Sequence, residues 1–98
     1  MDQRQALELA QSYKTLVSGV LPVKEVYLYG SYAKGNQTDE SDIDIAVVVD
    51  KLSDNYFDDT PVLWSLRRKI SLLIEPVLLT EDTDNPLYYD ILKTGVRV

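Results

Sequence analysis

Two carboxylates one residue apart, Asp42 and Asp44, are the residues of this sequence whose spacing first suggests chemistry. In an extended strand, residues i and i+2 point to the same face, so the two side chains lie a few ångströms apart. Like charges at that distance raise each other's pKa, and the fold gains nothing from them unless a cation or hydrogen-bond donors neutralise the pair. Such a pair is also common by chance, and a frayed strand end with both groups in water is the alternative.

A third carboxylate, Glu75, interrupts the apolar run LLIEPVLL at residues 72–79. Pro76 follows it and cannot donate to a ladder, which places this part of the strand at a sheet edge or a bulge. Two positions for Glu75 stay open, because it either faces water at that edge or lies beside Asp42 and Asp44. In the second case three carboxylates form one cluster, which can hold two divalent cations roughly 3.5–4 Å apart for in-line phosphoryl or nucleotidyl transfer.

The residue types that are missing narrow the metal chemistry. The 98 residues include no Cys and no His. Disulfides, thiolate metal sites and cysteine nucleophiles are therefore excluded, and the commonest metal ligand and general base are absent. Any bound metal would be held by oxygen, which favours hard ions such as Mg²⁺ or Mn²⁺.

A glycine–serine pair, Gly30 and Ser31, stands where a predicted strand gives way to a short helical turn. Glycine permits a tight turn and the close approach of a ligand, and helix N-terminal N–H groups beside a serine hydroxyl form an anion site. Alone, the pair is better explained as an ordinary turn in which Ser31 is the helix N-cap. Gly30 and Ser31 together with Asp42 and Asp44 carry more weight, because this candidate phosphate cradle lies ten residues upstream of the carboxylate pair.

Helices and strands in the order α-β-(short α)-β-α-β-α are predicted to position these residues. They are helices over 3–18, 60–70 and 86–94, strands over 24–29, 42–50 and 72–79, a short helical turn over 31–35, and loops over 36–41 and 51–59. Thr60 with Pro61, and Asn85 with Pro86, are typical N-cap and N1 pairs that set two of the helix starts. We expect an α/β (α+β) fold, a small mixed sheet of about three to four strands with helices packed on it, forming a single domain over 1–98.

The charge balance limits the partners that the chain can bind. A formal charge of −6 argues against direct binding of DNA or RNA, but not against one nucleotide, because metal ions can bridge carboxylates to phosphates. No apolar run reaches transmembrane length and the N-terminus lacks a signal-peptide core, so we expect no membrane association and a cytoplasmic location.

A short basic run at residues 67–69 stands out in this acidic chain. It is either a solvated helix face or a docking site for an acidic partner surface. The neighbouring Trp64 is expected in the core, with an interface position as the alternative.

The stretch GSYAKGNQTDESDID holds Gly30 and Ser31, ten residues, and then Asp42, Ile43 and Asp44. It resembles the G-S-x10-D-x-D signature of the DNA polymerase beta-like nucleotidyltransferase superfamily. The wider sequence is similar to the minimal nucleotidyltransferases, small bacterial and archaeal proteins that carry only the catalytic core. The resemblance runs from the first helix to the C-terminal ILKTGVRV and implies a polymerase beta-like nucleotidyltransferase core.

The resemblance implies a role for each matching residue. Gly30 and Ser31 would bind the triphosphate of ATP, and Asp42 and Asp44 would bind two Mg²⁺ ions. Glu75 would be the third acidic residue, completing one metal site and helping to deprotonate the attacking hydroxyl, although the family often has Asp there.

Lys34 and Ser41 would add phosphate contacts. The family commonly has Arg where Tyr32 stands in this chain. Lys34 would then supply the positive charge that is missing at that position.

The resemblance also implies a partner. Minimal nucleotidyltransferases are commonly antitoxins paired with a HEPN-domain RNase toxin, which they neutralise by transferring AMP from ATP to a tyrosine, by binding it, or by both. A chain with no appended domain has no obvious means of selecting tRNA, DNA or an antibiotic, so a protein acceptor and a hetero-oligomer are expected. A non-catalytic antitoxin that occludes its partner and a small-molecule nucleotidyltransferase are the alternatives.

Overall fold

Four strands form one mixed sheet in the computed structural model, which describes residues 1–50, 56–81 and 84–98. The strands are β1 (Val23–Tyr29), β2 (Ile43–Val49), β3 (Ile74–Thr80) and β4 (Val96–Arg97). The helices are α1 (Gln3–Ser18), α2 (Ser31–Lys34), α3 (Tyr56–Leu66) and α4 (Pro86–Thr94), with a 3₁₀ turn over Arg67–Lys69. The predicted class, a small mixed sheet with helices packed on it, is confirmed, and the order of the predicted elements is correct.

The strand order is β3-β2-β1-β4. β1 runs antiparallel to both β2 and β4, whereas β2 and β3 are parallel. This arrangement brings the C-terminal end of β1 beside the N-terminal ends of β2 and β3. β3 is an edge strand, as Pro76 predicts.

The two faces of the sheet carry separate apolar clusters because side chains alternate along each strand. The first face packs against α1 and α3 through Val26, Leu28, Ile43, Ile45, Val47, Ala6, Ala10, Tyr13, Val17 and Leu63. The second face packs against α4 through Tyr27, Ala46, Val48, Leu79, Tyr88 and Ile91. Asp42 and Asp44 precede Ala46 and Val48 on this second face, as the alternation predicts.

The helix α1 begins and ends as its sequence predicts. The Asp2 side chain accepts from the Gln5 N–H at 2.8 Å, and the Gln5 side chain accepts from the Asp2 N–H at 2.9 Å, which completes a capping box. The buried Tyr13 hydroxyl donates to the Leu63 carbonyl at 2.7 Å and so ties α1 to α3. None of the helices in the described ranges is long and apolar enough to cross a bilayer.

Three predicted boundaries are wrong. Thr60 is not an N-cap, because α3 already begins at Tyr56 and Pro61 lies inside it; the Thr60 hydroxyl is buried with no hydrogen-bond partner in the part of the chain that the structure describes. The helix predicted through about 70 ends at Leu66 and tightens into the 3₁₀ turn. The third strand begins at Ile74 rather than 72, after a turn. Of the predicted loop at 51–59, residues 51–55 lie outside the described residues and 56–59 are helical.

Candidate active site

Gly30 forms the turn between β1 and α2, and its geometry strongly favours glycine. Its φ of 73° and ψ of −149° lie in a region that only glycine occupies readily. A Cβ atom there would lie 3.1 Å from the carboxyl carbon of Asp44, and closer still to one carboxylate oxygen. The glycine therefore lets the backbone at the start of α2 approach the Asp44 carboxylate.

Gly30 is also the N-cap of α2, and Ser31 is the first helical residue. The interpretation of Ser31 as an ordinary N-cap is therefore wrong. The first bond of this turn runs from the Lys34 N–H to the Gly30 carbonyl at 3.1 Å, so the N–H groups of residues 31–33 precede the hydrogen-bonded ladder. The half-buried Ser31 hydroxyl lies at the same end of the turn.

The other predicted phosphate contacts are placed less favourably. Lys34 is exposed at the last position of α2, at the opposite end of the turn from Gly30. The Ser41 hydroxyl accepts from the Thr38 N–H at 2.9 Å, which gives it a structural role in the loop before β2. Tyr32, where the family commonly has Arg, is 1% exposed and packs in the core, so this position does not face a phosphate.

The three predicted carboxylates are neighbours in space. Asp44 of β2 is directly opposite Glu75 of β3 in the parallel ladder and opposite Tyr29 of β1 on its other side. Asp42 precedes β2, and its carboxyl lies close enough to that of Glu75 to share a hydrogen bond when one of them is protonated. Both positions left open for Glu75 are met at once, because it lies beside the aspartates and is exposed on the edge strand β3.

The electrostatics of the cluster reflect this crowding. Burial, and then the charge of Asp42, raise the pKa of the Asp44 carboxyl. Desolvation, the neighbouring Asp42 and then Asp44 raise the pKa of Glu75, while the charge of Arg67 acts in the opposite direction. Repulsion among the three carboxylates therefore opposes their full ionisation, and a bound cation would relieve it.

The donor set fits a hard cation, although the ligands are not preassembled. All three side chains offer oxygen, the donor that Mg²⁺ prefers. Within residues 1–50, 56–81 and 84–98, no three acidic, His or Cys side chains already stand as a group of metal ligands. Side-chain rotation would have to draw the adjacent carboxylates together around an ion.

A comparison with known families shows which family the chain belongs to. Residues 11–98 match the family described as "Polymerase beta, Nucleotidyltransferase", a range that includes the glycine turn and all three carboxylates. The chain belongs to this family. The predicted resemblance to a minimal nucleotidyltransferase is confirmed, and so is the prediction that the chain is an enzyme of this class.

Individual nucleotidyltransferases show the same similarity. A Methanocaldococcus jannaschii protein named "putative protein adenylyltransferase" is 34% identical over 79 residues, which are 81% of this chain and 79% of the relative. The crystal structure of a "putative nucleotidyltransferase" from Sulfolobus solfataricus has a TM-score of 0.70 and 29% identity, and covers 97% of this chain and 80% of its own. A toxin–antitoxin structure with AMP-PNP has a TM-score of 0.52 and 22% identity, over 99% of this chain and 72% of its own. This last likeness shows the fold alone.

Two residues that lie at this candidate site were not identified by the sequence analysis. Tyr29, half-buried and opposite Asp44 in the sheet, has its pKa raised to about 12 by burial and by the charges of Asp44 and Glu75. Arg67 approaches Glu75 from the 3₁₀ turn and donates to the Ile74 carbonyl at 3.1 Å. The position of Tyr29 directly before the glycine turn was a usable signal, whereas nothing near Arg67 in sequence indicates its contact with β3.

Proposed function

We propose that this nucleotidyltransferase is a Mg²⁺-dependent protein adenylyltransferase that transfers AMP from ATP to a tyrosine of a HEPN-type RNase toxin and so acts as its antitoxin. The observation that supports it best is the juxtaposition of the Gly30 turn with the carboxylates of Asp42, Asp44 and Glu75. Nucleotidyl transfer from a nucleoside triphosphate requires a phosphate cradle and a cluster of hard oxygen donors. Here both lie at the same end of the sheet.

The residues of the chain divide the chemistry between them. The N–H groups at the start of α2 and the Ser31 hydroxyl would orient the triphosphate, while Asp42, Asp44 and Glu75 would bind Mg²⁺. The ion, when bound, supplies Lewis-acid stabilisation of charge on the phosphates. The exposed Glu75 carboxylate would accept the proton of the attacking hydroxyl. The oxygen–phosphorus bond then forms at the α-phosphorus as the bond to pyrophosphate breaks.

The names of the relatives are consistent with a protein acceptor. A protein 34% identical to this chain carries the name of a protein adenylyltransferase, and toxin–antitoxin proteins share the fold. These similarities support a protein acceptor, and the HEPN-type toxin and its tyrosine hydroxyl are the acceptor that the sequence resemblance implies.

The test is transfer of label from ATP carrying ³²P at the α-phosphate to the purified product of the neighbouring gene, in the presence of Mg²⁺. We expect labelled protein, located at a tyrosine by mass spectrometry. Asp44→Asn should lower the rate by at least about 10²-fold, the usual scale for losing a catalytic group. Asp50→Asn is the matched control, because it makes the same change at the exposed far end of β2 and should leave the rate unchanged.

The alternatives give different results. A wild-type protein that neutralises its partner without transferring label would be an antitoxin that works by occlusion. Label that appears on a small molecule rather than on protein would indicate a small-molecule nucleotidyltransferase. Equal rates for Asp44→Asn and Asp50→Asn would remove the carboxylate cluster from the mechanism.

A further inference from the structure

An exposed apolar and cationic surface lies beside the carboxylate cluster, at the start of the edge strand β3. We name it the 64–73 patch, and its members are Trp64, Arg68, Lys69, Leu72 and Leu73. Leu72 is 66% exposed, Leu73 43% and Trp64 38%, and both cations are exposed. We propose that the 64–73 patch is where the acceptor protein docks, through a segment that combines acidic and apolar side chains; this inference rests on the proposed function.

The patch is one continuous surface because Arg67 holds its parts together. The Arg67 guanidinium stacks on the Trp64 ring at 4.6 Å from its centroid. It also donates to the carbonyls of Leu72 at 3.0 Å and Ile74 at 3.1 Å. A residue in the 3₁₀ turn thus joins the end of α3 to the turn that leads into β3.

The surface is also concave at one end. An open groove of about 410 Å³ is lined by Pro61, Trp64, Ser65, Arg67 and Arg68. A groove of this size accepts a side chain from a partner, and an aromatic ring with arginines is the composition that carries binding energy in protein interfaces.

The position of the patch relative to the carboxylates favours the acceptor over other partners. The Leu73 carbonyl accepts from the Ile43 N–H at 2.8 Å. The patch therefore ends beside Ile43, the first residue of β2, which directly follows Asp42. Glu75 follows Leu73 by two residues and interacts electrostatically with Arg67. A protein whose hydroxyl reaches this cluster must lie against the surface next to it.

The charge of the patch selects for acidic residues in the partner. The chain carries 16 acidic and 10 basic residues, and three of the basic residues are consecutive at 67–69. None of the ion pairs recorded between described residues involves Arg68 or Lys69. Most of the surface of the protein would repel an acidic partner segment, whereas the 64–73 patch would attract it. This difference orients the partner as it approaches.

The experiment measures binding and transfer separately, with the purified product of the neighbouring gene as the probe. Binding is measured by biolayer interferometry on an Asp44→Asn background, which impairs the chemistry but leaves the patch intact. We expect Arg68→Glu/Lys69→Glu and Leu72→Ser each to weaken binding at least about tenfold, and to raise the KM for the acceptor without changing the KM for ATP. The controls are Arg4→Glu on α1 and Leu92→Ser on α4, which alter an exposed cation and an exposed leucine elsewhere.

Three outcomes would overturn the inference, and a fourth would separate it from the proposed function. Patch variants that bind as tightly as the controls would place the acceptor elsewhere, even if wild-type transfer proceeds. A wild-type chain that self-associates in sedimentation, and loses this with Leu72→Ser, would make the patch an interface between copies. An acceptor that does not bind the wild-type chain removes the docking role. Binding that depends on the patch without transfer of label would keep the docking surface while the proposed function fails.

Discussion

Replacement of Gly30 by alanine should damage both stability and the carboxylate cluster. The backbone there has φ 73° and ψ −149°, a conformation that costs a residue other than glycine about 1–3 kcal/mol. The added Cβ would also press on the Asp44 carboxylate, and crowding of this kind typically costs about 1–3 kcal/mol. We therefore expect the free energy of unfolding to fall by at least about 2 kcal/mol, the sum of the two lower limits, or by at least roughly 8–16 °C in Tm for a domain of this size.

Gly35 provides the matched control. It also has a positive φ, 77°, but a Cβ there would meet nothing within 4 Å. Gly35→Ala should therefore cost only the strain of the left-handed conformation, about 1–2 kcal/mol. The difference between the two variants isolates the contact with Asp44 and the more restricted conformation of Gly30.

The assay is thermal and urea unfolding followed by circular dichroism, for both single variants and for Gly30→Ala combined with Asp44→Ala. Removal of the Asp44 carboxylate should recover about 1 kcal/mol of the loss, because the two positions are coupled by direct contact. If Gly30→Ala were no more destabilising than Gly35→Ala, or if the double variant recovered nothing, the glycine would not be needed to admit the carboxylate.

Three further predictions concern the framework around the site. Tyr13→Phe removes the buried hydrogen bond to Leu63 and should cost about 1–2 kcal/mol in urea unfolding. Because burial raises the pKa of Tyr13 in the folded state, the unfolded chain loses this proton first above pH 10, so wild-type stability should fall with rising pH more steeply than that of Tyr13→Phe. Asn85→Ala removes the side-chain cap of α4 and should lower the unfolding free energy by about 1 kcal/mol, with Asn85→Asp retaining it. Gly95→Ala would place a Cβ 2.6 Å from the Ile91 carbonyl oxygen. We expect this variant to lose amide-exchange protection in β4 alone.

Local sequence patterns predicted most of this fold because most of its elements are periodic over at least six residues. The helix at 3–18 and the apolar strand after Asp42 needed nothing beyond alternation and helical spacing. The errors fall where the decisive contact is distant in sequence. β4 is only two residues long and exists because it pairs with Tyr27 and Leu28, and Trp64, expected in the core, is exposed beside an arginine that bonds to the next strand.

The candidate site shows the same division between local and distant contacts. The common orientation of Asp42 and Asp44 follows from the alternation of a strand, so the sequence alone predicts it. The approach of Gly30 to Asp44 joins residues fourteen apart, and no local pattern encodes it. The sequence left two positions open for Glu75 because strand order within a sheet depends on packing of the whole chain.

The topology explains why the chemistry can be concentrated at one end of this small sheet without weakening its core. Because β1 is antiparallel to β2 and β2 is parallel to β3, the C-terminal end of β1 and the N-terminal ends of β2 and β3 lie at the same end of the sheet. Polar residues at the ends of three strands therefore lie close together. Further along, the same face carries Ala46, Val48 and Leu79, which pack against α4. Removal of a carboxylate at the first end should relieve repulsion and leave this packing intact, so loss of transfer and loss of stability should be separable by mutation.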